Sequence, residues 1–215
     1  RSALKNKICS ESKIEVIYNG IDLDKCKSAK SERTKLGYRE KDFIVGCAAR
    51  LSEQKDPMLF AEVAGCIAKK HPDTRFIWVG DGELREDFIK ALKKNNVFDK
   101  TKITGWVNNP YEYMSIFDVA VLLSKWEGFG LCLAEYMALG KPTVATNVGA
   151  VSEIIQDGIS GRLADGRNPE SIADEIMAYK QCRSIKDINR KCIEISEKFD
   201  FKITADKTIK MIAEL

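Results

Sequence analysis

The sequence predicts an α/β fold, a doubly wound parallel sheet of the Rossmann-like kind, and two observations carry that expectation. Short runs of β-branched and aromatic residues recur along the chain, and amphipathic stretches with helical spacing separate them. The glycine-bearing and charged segments fall just after those runs, and ligands of such sheets bind outside the carboxyl ends of the strands.

The strand-like runs cover residues 14–18, 43–49, 75–79, 103–106, 119–123 and 143–146. Helices are expected over 57–70, with Asp56 as the cap and Pro57 in the first turn, and then over 83–95, 110–117, 131–139 and 151–155. The last third turns polar and helical, over 169–180, 185–198 and 201–215. Ile203, Ile209 and Ile212 make an apolar stripe there, which either seeks a partner or packs on its own domain.

With 44% hydrophobic and 31% charged residues, the 215-residue chain has the balance of an ordinary globular protein, not of a disordered one. A net charge of +3 is too small to argue for a nucleic-acid partner but is compatible with an anionic ligand. No apolar stretch has the length of a membrane span and no signal peptide opens the chain, so the expected location is the cytoplasm. Seven cysteines, an odd count without Cys-x-x-Cys spacing, read as reduced structural thiols. The single histidine, His71, stands in a lysine-rich surface turn, and no Asp-x-Asp or Cys/His cluster supports a metal site. The chain starts at Arg1, and its first residues look like the tail of a preceding helix, as in a piece of something longer.

The most informative stretch runs from Glu127 to Glu135. It sets two carboxylates at either end of a turn carrying Gly128 and Gly130, where the apolar run 119–123 gives way to a helix. Free amides at a helix start favour an anion such as phosphate, and glycine lets backbone approach it closely. A carboxylate among phosphate-binding groups repels phosphate, so Glu127 and Glu135 suit hydrogen bonds from hydroxyls, as on a ribose or a hexose. Arg50 and Lys55 follow the second run; one offers a bidentate fork to phosphate oxygens and the other a mobile point charge, and both can stabilise a departing phosphate. Gly80 and Gly82 follow the third run, and Gly105, Trp106 and Val107 follow the fourth. Trp106 either stacks on a base or closes the core, burial being the commoner fate of an indole.

The segment from Ser124 to Val144 closely resembles the Glu-x7-Glu region of family 4 (group 1) retaining glycosyltransferases, enzymes of the two-Rossmann-domain GT-B fold. Ala49 to Lys55 resembles that family's Gly-Arg-Leu-x-x-x-Lys element, Gly80 to Gly82 its Gly-x-Gly turn, and Gly105 to Val107 its base-receiving loop. Val16 to Asp22 is similar to its Val-Ile-Pro-Asn-Gly-Val-Asp segment, and Asn147 to Glu153 to its Gly-Gly-x-x-Glu. Tyr18 replaces the usual Pro, Ala49 and Asp56 stand where Gly is common, and Ala150 replaces the second Gly, which puts local loop shapes in doubt.

The resemblance implies catalytic roles for Arg50, Lys55 and Glu127, and donor binding by Gly105, Trp106, Val107, Gly128, Phe129, Gly130, Leu131 and Glu135. It implies no metal and no cofactor, the donor being a nucleoside-diphosphate sugar whose diphosphate is neutralised by protein cations. Residues 1–13 are then a remnant of an interdomain linker or helix, 14–198 the nucleotide-sugar-binding domain, and 199–215 a helix crossing to a missing N-terminal acceptor domain. No nucleic acid is expected, and membrane contact, at its inner face, belongs to the full-length enzyme. The expected function is hexose transfer to a glycan or lipid-linked acceptor, as in polysaccharide or lipopolysaccharide biosynthesis, with the fragment alone inactive. The alternatives are a nucleotide-sugar epimerase of similar architecture and a non-catalytic nucleotide-binding module.

Overall fold

The computed structural model describes residues 10, 14–30 and 32–214, so the leading segment expected over 1–13 lies, Ser10 apart, outside the described residues. Six parallel strands form one sheet: β1 Phe43–Ala48, β2 Thr74–Val79, β3 Thr101–Ile103, β4 Val119–Leu122, β5 Thr143–Thr146 and β6 Gly161–Ala164. Their spatial order is β3-β2-β1-β4-β5-β6.

The inner strands β2, β1, β4 and β5 are buried on both faces, and the two-residue period divides their side chains between two cores. Ile44, Ile77, Val79, Ala120 and Leu122 face one cluster, and Val45, Phe76, Trp78, Val119 and Val121 face the other. The first cluster is closed by α1 (Leu23–Ser28), α4 (Pro110–Ser115), α5 (Leu131–Ala138), α6 (Val151–Ile154) and α8 (Ile185–Ser196), through residues such as Met114, Leu133, Tyr136 and Cys192. The second is closed by α2 (Pro57–Lys70), α3 (Arg85–Lys94) and α7 (Pro169–Ala178), through Phe60, Ile67, Phe88 and Ile176. The sheet is therefore doubly wound, and its strand order reverses between β1 and β4, the place where such sheets bind ligands.

Two expectations are corrected, and one strand was not foreseen. The apolar run at 14–18 is irregular backbone and not a strand; nearby only Ile21 makes an isolated bridge, to Asp200. The run at 103–106 is mostly not strand: β3 spans Thr101–Ile103, and Gly105, with φ 68°, keeps only an isolated antiparallel bridge to Gly80. β6 lacks an apolar run altogether: it is an edge strand with Arg162 exposed, so the pattern that marks a doubly buried strand is absent from it.

The C-terminal stripe lies on α9 (Phe201–Ala213), which buries none of its residues and leaves Ile209 and Ile212 65% and 62% exposed. No helix among the described residues is long and apolar enough to cross a membrane.

Candidate functional site

The loops after β1 and β4 meet at the strand-order reversal. After β1 the chain makes one 3-10 turn, Glu53–Lys55, and then Asp56 takes a left-handed conformation (φ 43°) while its carboxylate caps α2 by accepting from the Leu59 amide at 3.2 Å. This turn aims Lys55 across the crevice, where its Nζ donates to Glu127 Oε1. The same oxygen accepts from Ser124 Oγ at 2.7 Å. The two charged side chains keep only 16% and 4% of their exposure, so each compensates a charge that would otherwise be costly to bury. Among the described residues no hydrogen bond reaches Glu127 Oε2, which leaves that oxygen available to a ligand hydroxyl.

Further bonds stitch these loops together. The Lys125 amide donates to Gln54 O at 2.8 Å, and Gln54 Nε2 to Trp126 O at 3.1 Å. Arg167, from the loop after β6, donates to Ser124 O and Leu123 O at 3.0 and 3.1 Å and pairs with the Asp56 carboxylate. Gly149, after β5, presses on the Glu127 backbone so closely that a Cβ there would stand 1.8 Å from the Glu127 carbonyl oxygen, at a φ of 58°. Only glycine fits that position.

Arg50 is exposed and, with Lys55, Glu83 and Trp126, lines an open groove of about 500 Å³. The Gly80–Gly82 turn does more than bend: Leu51 N donates to Asp81 O at 3.0 Å, and a Cβ at Gly82 would lie 2.3 Å from Leu51 O, so this loop supports the one bearing Arg50. Helix α5 starts at Gly130 (φ 83°) with no side chain capping it. The Phe129 ring packs against Tyr18 and Phe199, with centroids at 5.9 and 5.5 Å, anchoring the turn. Gly128 is exposed and Leu131 is 45% exposed.

Glu135 is half-buried on α5 and accepts from Tyr111 Oη at 3.0 Å. Burial raises the pKa of its carboxyl, and the Tyr111 bond opposes the rise only in part. The Tyr111 hydroxyl is itself pushed up, first by burial and then by the Glu135 charge. Tyr111 also lines a cavity of about 580 Å³ with Lys25, Asn108, Asn109, Pro110 and Glu112. Gly105 is buried and Val107 half-buried, whereas Trp106 is 77% exposed and so does not close the core; Trp78, at 1%, is the indole that does.

The structure thus brings Lys55 and Glu127 into contact, sets Arg50 beside them and places Glu135 against the Gly105–Tyr111 side. Sequence reasoning gave no role to Ser124, Tyr111, Gly149 or Arg167. The first two lay inside or beside the quoted motifs and carried a signal, being hydroxyls at a strand end and a helix start. Arg167 carried none, because the strand before it was not recognised. Burial pushes the Cys26, Cys132 and Cys192 thiols up to about 12, so they stay protonated and inert.

Known proteins supply the family of the chain. The glycosyl transferases group 1 family model matches residues 28–199. The chain is 29% identical to the UDP-Gal:alpha-D-GlcNAc-diphosphoundecaprenol alpha-1,3-galactosyltransferase of Escherichia coli, over 84% of this chain and 48% of that protein. It is also 29% identical to a D-inositol 3-phosphate glycosyltransferase of Paenarthrobacter aurescens, over 94% of this chain and 52% of that one. The chain spans about half the length of these curated relatives. In fold it is similar to Anabaena Alr3699/HepE, crystallised with UDP, at a TM-score of 0.87 and 23% identity over 100% of this chain and 61% of that one. The sucrose-phosphate synthase of Thermosynechococcus elongatus shares the fold at a TM-score of 0.86 and 18% identity, over 99% of this chain and 55% of that one. A doubly wound sheet of Rossmann-like architecture, as in the GT-B enzymes, and a family match over most of its length together show that the chain belongs to the glycosyl transferases group 1 family.

Proposed function

We propose that this chain is the donor-binding domain of a retaining glycosyltransferase that moves a hexose from a nucleoside-diphosphate sugar to a glycan or lipid-linked acceptor, completed by an N-terminal acceptor domain. The observation that carries this reading is the Lys55–Glu127–Ser124 cluster beside an uncapped helix start. A diphosphate over the start of α5 meets backbone amides and the positive end of the helix, while Arg50 and Lys55 balance its charge. Glu127 Oε2 then accepts from a sugar hydroxyl, and Glu135 from a ribose hydroxyl on the Gly105–Tyr111 side. As the bond from the anomeric carbon to the diphosphate breaks, Arg50 and Lys55 stabilise the charge left on the phosphate oxygen. That oxygen takes the acceptor's proton while the acceptor oxygen adds on the same face, which retains the configuration. Protein cations supply the neutralisation, with no metal or cofactor in the scheme. Without the acceptor half, the chain binds donor but transfers little.

UDP is the first nucleotide to test, since the Escherichia coli relative uses UDP-Gal and Alr3699/HepE holds UDP. Calorimetric titration with UDP, GDP and ADP, and then with their sugars, checks the reading. Selective binding that is lost in Arg50→Ala and Glu135→Ala is expected; unchanged affinity in both variants sinks the assignment.

A further inference from the structure

We infer that Arg167 and Asp56 act together as a positioning clamp, holding the loops that bear Lys55 and Glu127 at a fixed separation across the strand-order reversal. This rests on the donor-site reading above and deepens it. Arg167 reaches in from the edge of the sheet and bonds on both sides of the crevice: to Ser124 O and Leu123 O behind Glu127, at 3.0 and 3.1 Å, and to the carboxylate of Asp56, the residue after Lys55. Each target is one step from a reacting group. Ser124 also bonds Glu127 through its hydroxyl, and Asp56 fixes the direction in which the 3-10 turn delivers Lys55.

The backbone at Asp56 supports this reading. Its φ of 43° is a conformation that glycine adopts freely and that is strained for an L-residue. Asp56 stands where Gly is common in the resembling family, so its carboxylate is placed at some conformational cost. It has two described uses, the cap of α2 and the pair with Arg167. A guanidinium suits the second, because its planar donors point in fixed directions toward several acceptors at once, whereas an ammonium is a point charge without that fork. Arg167 keeps 37% of its side chain exposed, so solvent screens the pair and it contributes little to global stability. Its effect is on geometry. Without it, the loops are joined by the Lys125–Gln54 and Gln54–Trp126 bonds, the exposed Lys125–Glu53 pair and the Lys55–Glu127 contact itself.

Amide hydrogen exchange of the chain without ligand tests the clamp directly, because the Lys125 amide bridges the two loops. Arg167→Gln removes the fork. Asp56→Asn removes the charge while keeping a helix-capping oxygen and a residue that tolerates the left-handed region. Each variant is expected to speed exchange at Lys125 about tenfold, with β1 and β4 unchanged and the melting temperature within about 3 °C of the parent. The double variant exchanges no faster than either single one, since both break the same link. In parallel, the affinity for UDP-glucose falls about tenfold in each. Unchanged exchange at Lys125 overturns the clamp whatever the chain binds, as do additive effects in the double variant or acceleration spread over the whole sheet. Local acceleration in the variants, with a parent that binds no nucleotide, upholds the clamp and removes the donor-site reading instead.

Discussion

The two ends of the site are built differently. At one, Lys55, Ser124 and Glu127 sit among bonds that tie the loops after β1, β4 and β6 together, with Gly149 pressed on the backbone behind them. At the other, Glu135 is held by the Tyr111 hydroxyl and Trp106 projects 77% exposed. In the proposed donor site the tied end holds the groups whose placement decides the reaction, because charge stabilisation works best when the dipoles and ions need not reorganise. The open end suits recognition, where side chains settle around a ligand as it arrives.

Substitutions can break or sharpen that contrast. The largest effect is expected at the tied end: Lys55→Ala strands a buried carboxylate and costs about 3 kcal/mol by chemical denaturation, together with loss of nucleotide binding. A stability loss below about 1 kcal/mol would mean that the pair is not buried in solution. Gly149→Ala comes next, at about 2 kcal/mol, because a methyl group 1.8 Å from the Glu127 carbonyl forces the loop away; parent-like stability and binding would show the contact to be soft.

Glu135→Gln should reverse the sign. Burial raises the Glu135 carboxyl pKa in the folded chain, so the native state holds that proton more tightly than the unfolded one. Its contribution to stability therefore declines as pH rises from the ordinary carboxylate range through the raised value, and levels off above it. Glutamine removes this decline, so the variant melts higher at neutral pH while binding nucleotide about tenfold more weakly. A melting temperature below the parent's across that range would refute the burial argument. The smallest effect belongs to Trp106→Ala, within about 0.5 kcal/mol in stability, as for an exposed residue; a binding loss of several-fold would show that the indole meets the nucleobase.

The doubly wound sheet was legible because its central strands are buried on both faces and so read as continuous apolar runs. β6 was not, since an edge strand starting at Gly161 with Arg162 outward has no such run. The 14–18 segment misled in the opposite direction: its β-branched residues suit a strand, but Val16 is 62% exposed and the segment forms no strand ladder with the described residues. Lys55 and Glu127 were nominated by chemistry and motif, yet their mutual contact spans 72 positions, a separation that no local pattern encodes. Arg167 is further removed, 111 positions from Asp56. Its role depends on how β6 adds to the sheet, a tertiary fact with no trace in the residues around it.

Of the three tryptophans, Trp78 is sealed in the core at 1% exposure, while Trp126, which lines the Arg50 groove, and Trp106 are 52% and 77% exposed. Indole emission follows the polarity around the ring, so the buried residue contributes a blue, steady background and the two exposed ones a red, responsive band. The chain therefore carries its own optical reporter in the Arg50 groove. A ligand in the Arg50 groove is expected to shift the Trp126 emission, and Trp126→Phe to abolish that shift.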